Sequence, residues 1–495
     1  MNSAGWVVDD NDEAVFIDIS PNEGEENLEG EAGSKWPHLP DLLLEQIFSY
    51  LSLRERYYAS LVCVNWNRAF YLPYVWKEFV FTDTTLTRAK YNYYLGWQYV
   101  LDHLKTSLCL STIGKNIRTL ILKPMYNFTN VYEFMNIVAW FIEQSANESI
   151  NKEIGDIGNN ITHLKFVFPC DMTERGDTER MQLFGTGGKL LGGLKKLMGK
   201  LEDLHKLELV DLMLEANEAK FLLDGVCDTC HLTLRTLRLV NATKLHYEIL
   251  HAGVFLNLYE LHISPQNLGE DLVQLLGQTK LKHLHILQNT YTMDDVFVPA
   301  VAAAAWKAMR KINQKLNVHL AVESKRPKRL VWQEGAPVRS VLYDSSHIGM
   351  STEILVKLID YYKSDLRIYG HLSIPRFHMP KSFFDRNDGN LLLLVRQCSY
   401  LSTLIVTEKV STGTVLLVAC AGRNLKRLHV RGNGTILKCE WTRNPDWSDE
   451  FYAWLKSTSK SYDAVEKEIS QILGYRWRFL SDKEFKRLKC DVHDY

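Results

Sequence analysis

No stretch of this sequence approaches the roughly 20 consecutive apolar residues that a membrane-spanning helix needs. The first residues also lack a basic segment followed by an apolar one, so we expect no secretory signal and a cytoplasmic location, a nuclear location or both. The nine cysteines are odd in number and scattered, which is not the pattern of a disulfide framework. These absences predict free thiols in a reducing compartment and no membrane partner.

Signatures of catalysis are also lacking. The segment Gly185–Lys189 looks like a phosphate loop, but Leu183 replaces its first glycine, and Leu190 replaces the serine or threonine that should follow the lysine. Nucleophile-elbow, metalloprotease and kinase motifs do not occur in the sequence. We therefore expect no catalytic residue, no enzyme activity, no cofactor and no nucleic-acid partner.

Potential metal ligands occur at two places. The segment Cys227–His231 reads C-D-T-C-H, which is half of a zinc site, but no second pair follows at zinc-finger spacing. His283 and His285 share a predicted strand face with His262 and could hold a transition metal, although no fourth ligand is identifiable. We expect these histidines to be solvent-exposed, and we predict no metal site.

Charge is distributed unevenly along the chain. Residues 1–33 hold ten acidic residues and no Lys or Arg, so a net charge of −1 leaves about +9 for the remainder. The acidic tail has few large apolar groups, and we expect residues 1–34 to be disordered. The basic run Lys325–Arg329 fits either a nuclear-localisation signal or a connector between strands.

A strong helical signal follows the tail. Pro40 and Asp41 open a predicted helix that ends near Leu51, and its apolar residues cover an arc of about 160°, wider than the stripe of a one-sided surface helix. A second helical stretch leads through Trp66 to a turn at Pro73. A unit of about 45 residues buries little surface alone, so its surplus apolar groups should contact a partner or the next domain.

These residues resemble the F-box family, in which Leu-Pro precedes a leucine-rich helix, followed by Ile-Phe-x-Tyr-Leu, Val-Cys-x-x-Trp and Leu-Trp. Mild departures are Leu42, Glu55 and Val75, where the family often has an acidic residue, Asp and Leu. The resemblance implies a non-catalytic module that binds the Skp adaptor and, through it, a cullin and a RING subunit. The residues expected to bind the adaptor or to support that surface are Leu39, Pro40, Leu43, Leu44, Ile47, Leu51, Val62, Cys63, Trp66 and Trp76.

Beyond residue 110 the phrase L-x-x-L-x-L recurs with other apolar residues allowed, and helical stretches lie between its copies. One strand plus one helix cannot bury its own apolar face, so stacked units should form a leucine-rich-repeat solenoid, a curved parallel sheet with outer helices. The uneven spacing of the copies makes these repeats degenerate. The nine copies begin at Ile117, Ile161, Leu204, Leu234, Leu258, Leu281, Val338, Leu401 and Leu425.

Side chains between the core leucines should line one face of the strands. This face leans basic, which suits an acidic or phosphorylated target, although charged residues on strand faces are often simply solvated. Glu208 and Glu260 dilute the positive charge. The residues that we expect to contact a protein substrate are Lys165, Lys206, Arg238, His262, His285 and Arg427.

The expected fold class is therefore α/β, with an all-helical F-box followed by an irregular leucine-rich solenoid. The predicted domains are an acidic tail (1–34), the F-box (35–81), a helical linker (82–110), the solenoid (111–440) and a helical cap (441–495), which includes a helix over Tyr475–Cys490. The resemblance implies a substrate-recognition subunit of a cullin-RING ubiquitin ligase. The alternative is a repeat-based scaffold that binds the adaptor without ligase output. The segments Asn317–Val322 and Ala336–Leu342 further resemble the F-box only 33 and 39 type.

Overall fold

The structure, a computed structural model, describes residues 4–9, 13–18, 36–94, 96–125, 127–145, 157–168, 170, 188–377 and 379–493. It divides into two compact units. The first is formed by Met1–Thr243 with Val254–Leu258, and the second by Lys244–Gly253 with Tyr259–Tyr495.

Two short strands lie near the start of the chain. Strand β1 (Ala4–Asp9) pairs with β2 (Glu13–Asp18) in antiparallel register. The prediction of disorder over residues 1–34 is therefore wrong for these two segments. Their sequences contain β-branched and aromatic residues that favour strands. The prediction of disorder gave more weight to the acidic composition of the tail than to these residues. The other residues of this predicted tail lie outside the described residues.

Three helices follow, α1 (Asp41–Tyr50), α2 (Leu53–Ser60) and α3 (Val64–Phe70), and a 3-10 turn covers Pro73–Trp76. Helix α1 has the predicted bounds within one residue, whereas the second predicted stretch is divided into two helices. Ser52 caps α2, because its hydroxyl accepts from the Glu55 N–H while the Glu55 carboxylate accepts from the Ser52 N–H. Glu55, where the F-box family often has Asp, is thus part of a capping box.

The structure corrects the helical linker that we expected over residues 82–110. Strands β4 (Thr87–Asn92) and β5 (Gly96–Leu101) form an antiparallel pair there, and helix α4 (His103–Ile113) begins only afterwards. Aromatic and β-branched residues favour strands in both segments. Gly96 has a φ of 73° where the connection between the strands ends, a conformation that glycine adopts readily.

The parallel strands of the first unit pair in the order β3 (Glu78–Phe81), β6 (Thr119–Leu122), β7 (His163–Val167), β8 (Lys206–Val210) and β9 (Thr236–Val240). Alternate residues such as Leu164 and Phe166 are buried, as the period of a strand requires. The described helices after α4 are Phe128–Ser145, Lys189–Met198, Ala216–Ala219 and Asp224–Cys230.

The second unit repeats this arrangement in the order β10 (Glu260–Ile263), β11 (His283–Asn289), β12 (Asn317–Glu323), β13 (Val338–Asp344), β14 (Ile368–His371), β15 (Thr403–Val406) and β17 (Arg427–Val430). A short parallel pair joins β16 (Val410–Ser411) to β18 (Thr435–Ile436). The α-helices between the strands are Glu270–Gly277, Ala303–Ile312, Thr352–Tyr362, Asp388–Gln397 and Thr412–Ala421.

The predicted fold class is confirmed: a helical F-box region precedes parallel strands that alternate with helices. A strand occurs at every one of the nine copies of the leucine phrase. Three further strands of the two parallel series, β3, β12 and β14, were not predicted, and neither was the short pair β16 and β18. In β12 the apolar residues Leu316, Val318 and Leu320 are spaced one residue too closely for the phrase, and in β14 a histidine, His371, fills its last position.

The last helices differ in part from the predicted cap. Helices cover Asp449–Thr458 and Tyr462–Leu473, and Gly474 then turns the chain with a φ of 77°. The helix expected over Tyr475–Cys490 is wrong, because only Asp482–Phe485 is helical, although its predicted capping box between Ser481 and Glu484 is present. The rest of this segment is not helical, and parts of it pack on strands, as described below.

Candidate protein-binding surfaces

The three N-terminal helices bury several large apolar side chains. Leu44 and Phe48 of α1 are fully buried, as are Phe70 and Trp76. The Trp76 indole N–H donates to the Phe70 carbonyl at 2.5 Å, and the two rings meet edge to face with centroids 5.0 Å apart. The Arg56 guanidinium lies over the Trp76 ring and donates to the Phe48 carbonyl, which closes the end of α1.

The segment that carries Leu39 and Pro40 is fixed to α3. The Asn65 side-chain amide donates to the Leu39 and Pro37 carbonyls at 3.2 and 3.0 Å, and the Trp66 indole donates to the Trp36 carbonyl at 3.0 Å. Arg68 forms an ion pair with Asp41 at 2.7 Å. These contacts hold the segment that carries Leu39 and Pro40 against the start of α3.

The predicted adaptor residues separate into two groups. Leu44 and Trp76 belong to the buried core, whereas Leu43 and Val62 are 47% and 63% exposed. Pro40 is also exposed, and the remaining members, Leu39, Ile47, Leu51, Cys63 and Trp66, are half-buried. Sequence periodicity gave the width of the apolar arc but did not separate the part that faces the core from the part that faces solvent.

The exposed apolar residues of this region that were missed include Leu42, Tyr50, Leu61 and Val64. They flank the predicted ones on α1 and at the start of α3, and helical spacing alone could have suggested them. Together with Leu43 and Val62 they make up a set of exposed apolar residues that we call the docking face: Leu42, Leu43, Tyr50, Leu61, Val62 and Val64. Six large apolar side chains exposed within a unit of this size exceed what isolated surface residues require, and such clusters mark interaction sites.

In the first unit, a buried carboxylate neutralises part of the predicted basic strand face. Glu208 on β8 contacts Lys206 Nζ at 2.7 Å, His163 Nε2 at 3.1 Å and Lys165 Nζ at 3.3 Å. Burial by itself raises the pKa of Glu208, but the hydrogen bonds from His163 and Lys206 and the charges of both lysines hold that pKa well below its ordinary value. Arg238 on β9 lies directly opposite Glu208. Two of the residues expected to contact a substrate, Lys165 and Lys206, are therefore already paired with a carboxylate of the same face.

In the second unit, the chain covers its own strand face with a segment that we call the return segment (residues 477–493). The Trp477 indole donates to the Leu428 carbonyl at 2.6 Å, and the Leu480 N–H donates to the Val430 carbonyl at 3.0 Å. Phe485 is buried against three residues of β13, β14 and β15, namely Leu342, Ile368 and Ile405. The face on which Arg427 and His285 were expected to contact a substrate is thus partly occupied by the protein itself.

Histidines of three adjacent strands stack beneath the end of the return segment. His262 lies opposite His285, which lies opposite His319, and the ring centroids are 4.2 and 4.6 Å apart. His493 of the return segment reaches this row, with its Nδ1 3.2 Å from His283 Nδ1. His283 and His285 are buried, so the expectation that they are solvent-exposed is wrong.

The electrostatics of this histidine row are dominated by burial. Burial lowers the pKa of His285 to about 4 and that of His319 well below its ordinary value, so both rings are neutral at neutral pH. Glu260 lies at the edge of the row. The imidazoles of His262 and His285 hold the pKa of the Glu260 carboxyl well below its usual range.

The other motifs weighed from the sequence have structural roles or lie outside the described residues. Cys230 is buried, and its thiol donates to the Leu201 carbonyl at 3.0 Å, while Cys227 is half-buried on the same helix. Residues 185–187 of the phosphate-loop segment are not among the described residues. Within the part of the chain that the structure describes, no helix is both long and apolar enough to cross a membrane.

Comparison with known families agrees with this geometry. Residues 36–82 match the F-box-like family, so the chain carries an F-box-like domain, as predicted from residues 35–81. The region is similar to F-box/LRR-repeat protein 21 of Mus musculus, with 46% identity over 46 residues, and to the protein of the same name of Bos taurus, with 44% identity over 46 residues. Each match covers 9% of this chain and 11% of the relative.

Among solved structures, the chain is similar to one described as a crystal structure of a Rad7 and Elc1 complex in yeast. The match covers 84% of this chain and 93% of that chain at 13% sequence identity, with a TM-score of 0.33.

Proposed function

We propose that this protein is a substrate-recognition subunit of an Skp-cullin-F-box ubiquitin ligase. Its F-box-like domain binds the Skp adaptor, which links it to a cullin and a RING subunit, and its repeats hold the protein target. It catalyses no reaction itself and acts by raising the effective concentration of the target near the conjugating enzyme. The compartment that fits this role is the cytoplasm, the nucleus or both.

The observation that carries the proposal is the docking face. The core around Phe48 and Trp76 is complete without the six exposed apolar residues, so folding does not require them to be apolar. Exposing them to water is unfavourable, at about 25 cal/mol for each Å² that a partner could cover. A protein partner with an apolar groove is the occupant that this surface favours, and the match to the F-box-like family supports the Skp adaptor as that partner.

The proposal that the repeats bind a target rests on the strand residues that alternate with the buried core residues and remain exposed to solvent. Lys165 and Lys206 remain more than one-third exposed in the first unit although both contact Glu208, so they can still meet an acidic group of a target. We also propose that the protein is of the F-box only 33 and 39 type. This part of the proposal rests on the sequences of β12 and β13 and is independent of the docking face.

Adaptor binding is tested by co-expression with the Skp adaptor and pull-down of wild type and the Leu43→Ala/Val62→Ala variant. Both residues are exposed, so the variant should fold normally. If both side chains become buried by the adaptor, truncation at about 0.8 kcal/mol per lost methylene should weaken binding by roughly 2 to 4 kcal/mol, or about 30- to 1,000-fold. Equal capture of variant and wild type would contradict the proposed docking face.

A matched control removes the same kind of surface elsewhere. Val296 and Phe297 are adjacent, 83% and 67% exposed, and belong to the second unit. The Val296→Ala/Phe297→Ala variant should bind the adaptor as wild type does. Loss of binding in this control as well would attribute the effect to general surface apolarity and not to the docking face.

Ligase membership is tested by asking whether a cullin co-purifies with the protein and its adaptor. The proposal predicts one cullin for each captured adaptor complex, and the Leu43→Ala/Val62→Ala variant should lose both proteins together. A complex that retains the adaptor but never recruits a cullin would favour the scaffold alternative.

A further inference from the structure

Three side chains of types that bind metal ions converge on the strand face of the second unit. Glu260 and His262 are two residues apart on β10 and therefore lie on one face, and His285 is directly opposite His262 on β11. The Glu260 Oε1 atom lies 2.9 Å from His262 Nε2 and 3.1 Å from His285 Nε2. One ligand atom from each residue lies within 4.8 Å of the other two.

The spacing of these atoms suits a small cation. Zinc bonds to histidine nitrogen and carboxylate oxygen are about 2.0 to 2.2 Å long, so tetrahedral ligand atoms lie roughly 3.3 Å apart. Both contacts to Glu260 Oε1 are close to that value. The next nitrogen is His493 Nε2 of the return segment, which lies 3.5 Å from the same oxygen.

Hydrogen bonding within the cluster is incomplete. Among the described residues, the buried atoms His262 Nδ1 and His285 Nε2 have no hydrogen-bond partner. His285 Nε2 lies 3.1 Å from Glu260 Oε1, which is an ion-pair distance. Leaving a buried polar atom unpaired costs about 1–3 kcal/mol, so an arrangement that places such an atom beside a carboxylate calls for a further group.

We propose that Glu260, His262 and His285 bind a divalent transition-metal ion, with Zn²⁺ as the ion that fits best. Two imidazoles and one carboxylate form a ligand set that suits this class of ion, whereas Ca²⁺ and Mg²⁺ prefer oxygen ligands alone. The three protein ligands leave one coordination position beside His493. The bound ion holds the end of the return segment to β10 and β11, a structural role that is independent of adaptor binding.

The test is calorimetric titration of the full chain with Zn²⁺ alone, after treatment with a chelator and dialysis. Wild type should bind one equivalent. Loss of even one outer-shell partner weakens metal binding by roughly 10–100-fold, so the His262→Gln/His285→Gln variant, which lacks two direct ligands, should be weakened by more than that. Absence of stoichiometric binding by folded wild type would overturn the proposal, as would equal binding by the folded variant.

A control and a milder variant keep the test decisive. His231 and His347 are exposed, and the His231→Gln/His347→Gln variant removes the same number of histidines without touching the cluster. It should bind Zn²⁺ as wild type does, and loss of binding there would place the ion elsewhere. If the double variant fails to fold, Glu260→Gln keeps the size and an acceptor oxygen of the native side chain, and its binding should still weaken by more than about tenfold.

Discussion

Glu408 gives the structure a titrating group whose effect on stability can be worked out. Its carboxylate is largely buried beside Met350, whose backbone N–H donates to Oε1. Burial raises the pKa of Glu408 to about 7 from its ordinary value of 4.5, although the hydrogen bonds from Met350 and Asn387 act in the opposite direction. The folded protein therefore keeps this proton over a range of pH in which the unfolded chain has released it.

The consequence is a loss of stability as pH rises. Below about pH 4.5 the carboxyl is protonated in both states and contributes nothing. Between about pH 4.5 and 7 the folded state binds more protons than the unfolded state, so the free energy of unfolding falls with pH. At about 1.36 kcal/mol for each pH unit, the loss from Glu408 reaches about 3 kcal/mol above pH 7.

The Glu408→Gln variant removes this titration and retains an oxygen that can accept from Met350. Urea denaturation of both proteins at matched pH should show the variant gaining about 3 kcal/mol relative to wild type between about pH 4.5 and 8. The quantity to compare is the difference in free energy of unfolding between the two proteins. The buried His285 and His371, whose pKa values are lowered to about 4, destabilise both proteins as pH falls, and this effect cancels in the difference.

Substitution of an exposed carboxylate serves as the control. Glu202 lies in an exposed loop, and Glu202→Gln should change the free energy of unfolding by less than about 0.5 kcal/mol. A constant offset for Glu408→Gln, or one that shrinks as pH rises, would refute the reasoning about burial.

Two further variants test buried contacts of the second unit. Asp388→Ala should lower the free energy of unfolding by about 3–5 kcal/mol in urea denaturation. The buried Arg386 Nε lies 2.9 Å from Asp388 Oδ2, and the substitution leaves Glu440 as the carboxylate partner of Arg386 among the described residues. A loss below about 1 kcal/mol would show that the pair is not required. Phe485→Ala should weaken the packing of the return segment by about 3–5 kcal/mol and speed trypsin cleavage near Lys486. Phe384 is exposed, so the control variant Phe384→Ala should leave the cleavage rate unchanged. Equal cleavage of wild type and Phe485→Ala would mean that this side chain does not anchor the segment.

Local patterns predicted the first F-box helix and most of the repeat strands, but not every element and not the partners of each element. The spacing of Leu204, Leu207 and Leu209 identifies a strand because alternate apolar residues must face one core. The same reasoning missed β12, since the spacing of its apolar residues departs from the phrase by one position. Helical periodicity likewise placed Leu43 and Leu44 in one apolar arc, and only packing shows that Leu44 is buried and Leu43 exposed.

The histidine cluster shows why the metal-type site was not predicted. His262 and His285 share a face by strand periodicity, but their register depends on the pairing of β10 with β11, which no local pattern determines. Glu260 was interpreted as a dilution of positive charge, although it lies two residues before His262 on the same face. His493 could not be placed beside them, because the segment that carries it was assigned to a helical cap.

The return segment also changes how the second unit is expected to unfold. In a simple repeat array each unit contacts only its neighbours, so terminal repeats can fray while the rest stays folded. Here His493 contacts His283, a residue 210 positions earlier in the sequence. Such a long-range closure links the last repeats to the first ones of this unit, so its strands should unfold as one cooperative block and fold more slowly than an open array of the same length.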